Sequence, residues 1–248
     1  MAGRIVTPII VFLVVSAVAS PALAWLQNLL GLDPNVLRLT VFSTAVGAAV
    51  VWLLWRGALP YPAPMLSRPP WLGVGACLTF AVAMFALARI EGAPWRPPTA
   101  TALGAPLAVV LITQLLGSAA EEVGWRGLVQ PLLEVRLPLW GAMLITGALF
   151  GLGHFYLAFA VAPAAFLLFV VSAVAISVIP GLTTAGHPWR RRIVIATSLH
   201  FLLNMMTLFL FADGDGSVLY FGDLALASMM AAALAWMLVP RRRTARTG

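Results

Sequence analysis

The chain has 248 residues, 62% of them hydrophobic and only 9% charged. That is more apolar surface than a water-soluble core can hide, so lipid must be its solvent. The net charge of +7 comes from fifteen Arg and no Lys, set in short clusters between apolar runs rather than along one face, which argues against a nucleic-acid partner.

Apolar stretches of about 17 to 25 residues, enough to cross about 30 Å of hydrocarbon, follow one another along the chain. They run Ile5–Leu30, Leu37–Trp55, Trp71–Ala88, Ala100–Ala120 with a polar continuation to Glu134, Leu139–Phe159, Ala162–Ile179, Ile193–Phe211 and Val218–Val239. The breaks between them are short and rich in Pro, Gly and Arg, such as 59–64, 94–98, 186–188 and 213–216. The expectation is an all-α, polytopic bundle of about eight transmembrane helices, a single integral membrane domain over 1–248 without internal repeats. Trp25, Trp55, Trp71, Trp95, Trp140, Trp189 and Trp236 fall near segment ends, where an amphipathic ring prefers the interface. Cys77 lies alone in an apolar run, so no disulfide and no Cys-ligated metal site is available.

The arginines set the expected orientation. With the N-terminus in the cytoplasm, twelve of the fifteen lie on the cytoplasmic side and only Arg38, Arg89 and Arg96 outside. An even number of spans then puts the C-terminus in the cytoplasm and the acidic turn Asp213–Asp215 outside. The first segment reads in two ways. Arg4, an apolar run and Ala22-Leu23-Ala24 after Pro21 fit a first transmembrane helix, and residues 1–24 also have the pattern of a cleavable signal peptide.

Ionisable groups inside apolar spans cost about 2.5–3.5 kcal/mol each, so each asks for a reason. Three places show them. In Glu121-Glu122-Val123-Gly124-Trp125-Arg126, Arg126 stands one helical turn beyond Glu122, the spacing at which the two side chains meet. Glu121 points about 100° away and is left over, the condition that raises a carboxylate's basicity. The bland alternative is a helix end at the water interface. In the next span, Gly147 and Gly151 make a small-xxx-small face for close helix approach, and His154 follows it. Alone, this histidine is as well read as a hydrogen-bonded core residue. Further on, His200 and Asn204 are four apart and project from one side of a helix, offering an imidazole and an amide to one point. For Asn204 the alternative is polar glue between helices.

These elements, Glu121-Glu122-xxx-Arg126, Phe150-xxx-His154 and His200-xxx-Asn204, resemble in order and spacing those of the CPBP family, the CAAX-processing and bacteriocin-processing (Abi) intramembrane endopeptidases. The resemblance covers about residues 115 to 210, and the first three spans contribute nothing to it. It implies peptide-bond hydrolysis in a cavity open to the cytoplasmic leaflet. Glu121 and His154 would activate the attacking water, His200 and Asn204 would stabilise the oxyanion, and Glu122 with Arg126 would fix the helix. It leaves open whether a divalent metal such as zinc takes part. One Glu and two His could hold it, but His-Glu-xx-His is absent, and Asn204 makes better sense as an oxyanion donor in a metal-free site.

The implied partners are the bilayer and a peptide or membrane-protein substrate. The Arg-only, Ala-rich composition points to a GC-rich bacterial genome and so to the bacterial inner membrane, where prenylated proteins are not the expected substrate. Two other classes fit part of the pattern. An ion-coupled transporter would use Glu121, His154 and His200 as a proton relay, and it predicts paired interrupted helices that the sequence does not show. A non-catalytic scaffold or immunity protein predicts degraded motifs, and these are complete. Depth along the helices poses one further condition. His154 lies about 24 Å from Pro138 at about 1.5 Å per residue, deeper than Glu121 or His200, so its helix must tilt or begin beyond the hydrocarbon.

Overall fold

The computed structural model describes residues 3–34, 36–62, 67–92, 98–99, 103–210 and 216–238. Among them are eight helices and no strand: α1 Gly3–Leu29, α2 Ser43–Trp55, α3 Trp71–Ile90, α4 from Leu107, α5 Leu139–Gly153, α6 Pro163–Thr184, α7 Trp189–Leu210 and α8 Val218–Met237. α4 is α-helical to Gly124, passes through a π-turn over Trp125–Val129 and finishes with Gln130–Glu134. Six helices are long and apolar enough to span a membrane, while α2 with its 3₁₀ lead-in (Leu39–Trp55) and α5 are shorter apolar helices. Trp95, Arg96, the acidic turn 213–215 and the C-terminal arginines lie outside the described residues.

Among the boundaries that differ from the sequence expectation, three bear on the site. The fifth segment is not one helix to Phe159. It stops at Gly153, His154 takes φ −86° and ψ 30°, and Phe155–Phe159 form a 3₁₀ turn. The sixth continues through Pro180 to Thr184 instead of stopping at Ile179, since proline removes one backbone bond without having to end a helix. The seventh starts at Trp189, a turn before Ile193, because Arg192 is not a solvated flank. It is 1% exposed and ion-paired to Glu134 on α4.

Packing divides into two clusters. Phe80, Met84, Met143, Ile179 and Leu199, on α3, α5, α6 and α7, form the larger with residues of α8. The smaller is built on Phe12 of α1, which is fully buried and edge-on to Trp125 at 5.2 Å. Phe12 fits because two glycines make room. A Cβ on Gly124 would stand 2.8 Å from its ring, and one on Gly47 would stand 2.8 Å from its carbonyl oxygen. α5 lies against α6 through the glycine face read from sequence. A Cβ on Gly147 would meet Val174 Cα at 2.7 Å, and one on Gly151 would meet Val170 Cα at 3.1 Å. The α5 backbone therefore runs close enough to α6 to fix where His154 emerges.

Candidate active site

α4 and α5 form an antiparallel hairpin that turns between Glu134 and Leu139. Glu121 lies thirteen residues before Glu134 and His154 fifteen after Leu139, or about 20 and about 22 Å along their helices. Measured from their shared turn, the two side chains therefore lie at similar heights along the hairpin. His154 Nε2 is 3.9 Å from Glu121 Oε1. On α7, His200 Nε2 is 3.5 Å from Glu121 Oε2. One carboxylate from α4 and one imidazole from each of α5 and α7 thus face a common point.

The other nitrogen of each ring is occupied. His154 Nδ1–H donates to the Phe150 carbonyl at 2.9 Å, so Phe150 positions the ring with its backbone as well as its own ring, 4.7 Å away centroid to centroid. His200 Nδ1–H donates to Glu122 Oε1 at 2.8 Å. In the neutral rings these bonds fix the tautomer and turn the Nε2 lone pairs toward Glu121.

Glu122 is 1% exposed and takes a second bond on the same oxygen from Arg126 Nη1 at 3.0 Å, the i,i+4 pair read from the sequence. Arg126 Nη2 donates to Ser177 Oγ on α6, which donates to the Met143 carbonyl on α5. A chain of polar contacts thus runs His200, Glu122, Arg126, Ser177, Met143 and ties four helices together. Asn204, one turn beyond His200, donates from Nδ2 to Ser118 Oγ on α4 at 3.4 Å. All six residues singled out from the sequence therefore stand in one neighbourhood. Ser177, Ser118 and the Phe150 carbonyl were not among them. Serines in apolar helices carry no motif, and only the spacing of Ser118 one turn before Glu121 and Glu122 could have singled one out.

The cluster lies on the wall of a cavity of about 1160 Å³. The cavity is apolar on Phe12, Trp125 and Phe169 and polar on Gln114, Glu121 and Asn204, a lining suited to an extended apolar chain with a peptide group to be held. A divalent cation would find its donors in Glu121 and the two Nε2 atoms, yet among the described residues no three His, Cys, Asp or Glu side chains are grouped closely enough to hold one.

The cavity has a direction. Gln27, Asn28, Arg38, Tyr156 and Tyr220 line it from the end of the bundle where α1 meets α2, α5 meets α6 and α8 begins. At that rim Arg38 Nη1 donates to Tyr156 Oη at 3.1 Å. At the other end, Leu128, Val129, Gln130, Leu132, Leu182 and Arg192 are each no more than 2% exposed and close the bundle. That closed end is the one where the arginines cluster.

Residues 103–206 match the model of the family described as type II CAAX prenyl endopeptidase Rce1-like. No curated protein matches the chain. The matched segment, which contains all six residues, is thus similar to the CPBP family of proteases.

Proposed function

We propose that the chain is an intramembrane endopeptidase in which Glu121 activates a water molecule against a peptide bond of a membrane-associated peptide or protein. The observation that carries this is the convergence of His154 Nε2 and His200 Nε2 on the Glu121 carboxylate, at 3.9 and 3.5 Å, on the wall of a cavity large enough for a peptide. Glu122 has a guanidinium against it, whereas Glu121 faces two imidazoles.

In the proposed reaction, water held between Glu121 and His154 gives a proton to Glu121 as its oxygen attacks the carbonyl carbon. The developing oxyanion is met by the Asn204 amide and by His200 in its protonated form, whose Nδ1–H stays on Glu122 while Nε2–H faces the oxyanion. The proton on Glu121 then passes to the amide nitrogen, the C–N bond breaks, and an acid and an amine leave. Glu122, Arg126 and Ser177 touch no reacting atom. They hold His200 and the α4 backbone at the required angle.

Glu121→Gln keeps the size and hydrogen-bonding surface of the side chain and removes its basicity. Cleavage of membrane peptides by the purified protein in lipid should fall about a thousandfold or more, with thermal stability unchanged. Undiminished cleavage would end this reading. Loss of ion-coupled uptake instead would mark a carrier, and an unchanged cellular phenotype a scaffold. On the metal-free form of the reading, cleavage survives exhaustive chelation. Activity lost to a chelator and restored by added zinc would replace it with a metal-dependent one.

A further inference from the structure

We infer that Gln114 of α4 binds the main chain of the substrate: its carboxamide pairs with the N–H and C=O of one residue of an extended peptide, about three residues from the scissile bond. The scissile bond in that statement rests on the hydrolase reading, but the hold on an extended peptide does not.

Gln114 stands in the apolar first half of α4, where a polar side chain without a partner is disfavoured. Its polar neighbours on the helix are engaged. Thr113 donates to the Val110 carbonyl. Ser118, one turn beyond Gln114, is 1% exposed and accepts from Asn204. Glu122, one turn further, holds Arg126 and His200. The Gln114 carboxamide is half-buried, lines the cavity and has no hydrogen-bond partner among the described residues. An amide group left open on the wall of a cavity large enough for a peptide is a place for something the protein itself does not supply.

Position says what that is. Seven residues make nearly two full turns, so Gln114 and Glu121 leave α4 on nearly the same side, about 10 Å apart along its axis. An extended chain rises about 3.3 Å per residue. A peptide whose reacting carbonyl lies at Glu121 therefore brings a residue about three positions away to Gln114. Across the cavity, α7 runs antiparallel to α4, with His200 opposite Glu122 and Asn204 opposite Ser118. One turn further along α7, Thr207 and Leu208 reach the level of Gln114, and both line the cavity. The Thr207 hydroxyl is turned back on its own helix, toward the Leu203 and Asn204 carbonyls. Gln114 thus offers its donor and its acceptor opposite an apolar wall. The N–H and C=O of one residue of an extended chain point the same way, and a carboxamide can meet both at once. That pairing holds a main chain whatever its sequence, while Leu208 favours an apolar side chain beside it.

The test reads binding without turnover. The Glu121→Gln protein in lipid nanodiscs is titrated, by fluorescence anisotropy, with a fluorescein-labelled apolar decapeptide of Ala and Leu carrying one Phe to fix its register. The same peptide is then N-methylated at one residue at a time. One of these positions should weaken binding about tenfold, as loss of a hydrogen bond to a desolvated partner does. Adding Gln114→Leu should weaken the unmodified peptide by a similar factor and erase the difference between it and that methylated peptide. Gln114→Met, unbranched and close in length, takes its place should the leucine variant fail to fold. Equal binding with and without the Gln114 substitution, a methylation effect that persists in the double variant, or no binding of the decapeptide to the Glu121→Gln protein overturns the inference. Failure of the hydrolase reading would look different: the Gln114-dependent binding would remain, and Glu121→Gln would leave cleavage unaltered.

Discussion

Toward the closed end of the bundle, Glu134 is paired with Arg192 and Glu122 with Arg126, with side chains no more than 4% exposed. Facing the cavity, Glu121 meets His154 and His200 and lies beside no guanidinium in that cluster. The two adjacent glutamates of α4 thus have opposite surroundings, because a step of one residue turns a side chain about 100° around the helix. Charges that meet opposite charges serve as struts between helices. The carboxylate that meets two imidazoles instead is the one on which the proposed reaction rests. If that division is right, substitutions on the two sides should fail in different currencies.

The largest effect belongs to the cavity side. Glu121→Gln should cost about 4 kcal/mol or more of transition-state stabilisation and almost none of fold. Next comes Arg126→Leu. It leaves the Glu122 carboxylate buried without its countercharge and Ser177 without its donor, a loss of about 3–5 kcal/mol. Here the thermal midpoint of the purified protein should drop and expression should fall before catalysis can be assayed. A variant as stable as the parent would show that the pair is no strut. Asn204→Ala should keep the fold and lower the turnover number about a hundredfold with little change in KM, as loss of one oxyanion donor does. A change confined to KM would make Asn204 a contact for bound substrate instead.

The strut side was only half legible. Glu122 and Arg126 could be paired from sequence because both lie on one helix, four residues apart. Glu134 and Arg192 could not, being 58 residues apart with nothing local to join them. The same holds for Ser177, which reaches Arg126 across 51 residues. The π-turn over Trp125–Val129 was likewise invisible, since no residue type there demands it. The apolar helices were legible because hydrocarbon imposes a length and a polarity on a helix that crosses it. The mouth of the cavity was not, because it depends on which buried side chains fill one end, and apolar residues look alike at both. Phe12 shows this best. In sequence it is one apolar residue among many in α1, and only the gap left by Gly47 and Gly124 makes it the contact that seats that helix.

The smallest predicted effect asks how the two sides communicate. Gly151 is three residues from His154 and Gly147 seven, so chain proximity alone would make Gly151 the more sensitive. Clearance says the opposite. A Cβ at Gly147 would stand 2.7 Å from both Val174 Cα and Ser177 Cβ, while at Gly151 the nearest atoms are at 3.1 Å. The close atoms at Gly147 include backbone that cannot rotate away, so α5 and α6 must separate, at a cost of about 1–3 kcal/mol. The disturbed residue is Ser177, whose hydroxyl holds Arg126, which holds Glu122, which holds the ring of His200. Gly147→Ala should therefore lower both the thermal midpoint and the cleavage rate, and Gly151→Ala should lower both by less. If Gly151→Ala proves the more damaging, His154 is positioned by its own helix end, and the strut through Ser177 does not reach the reacting groups.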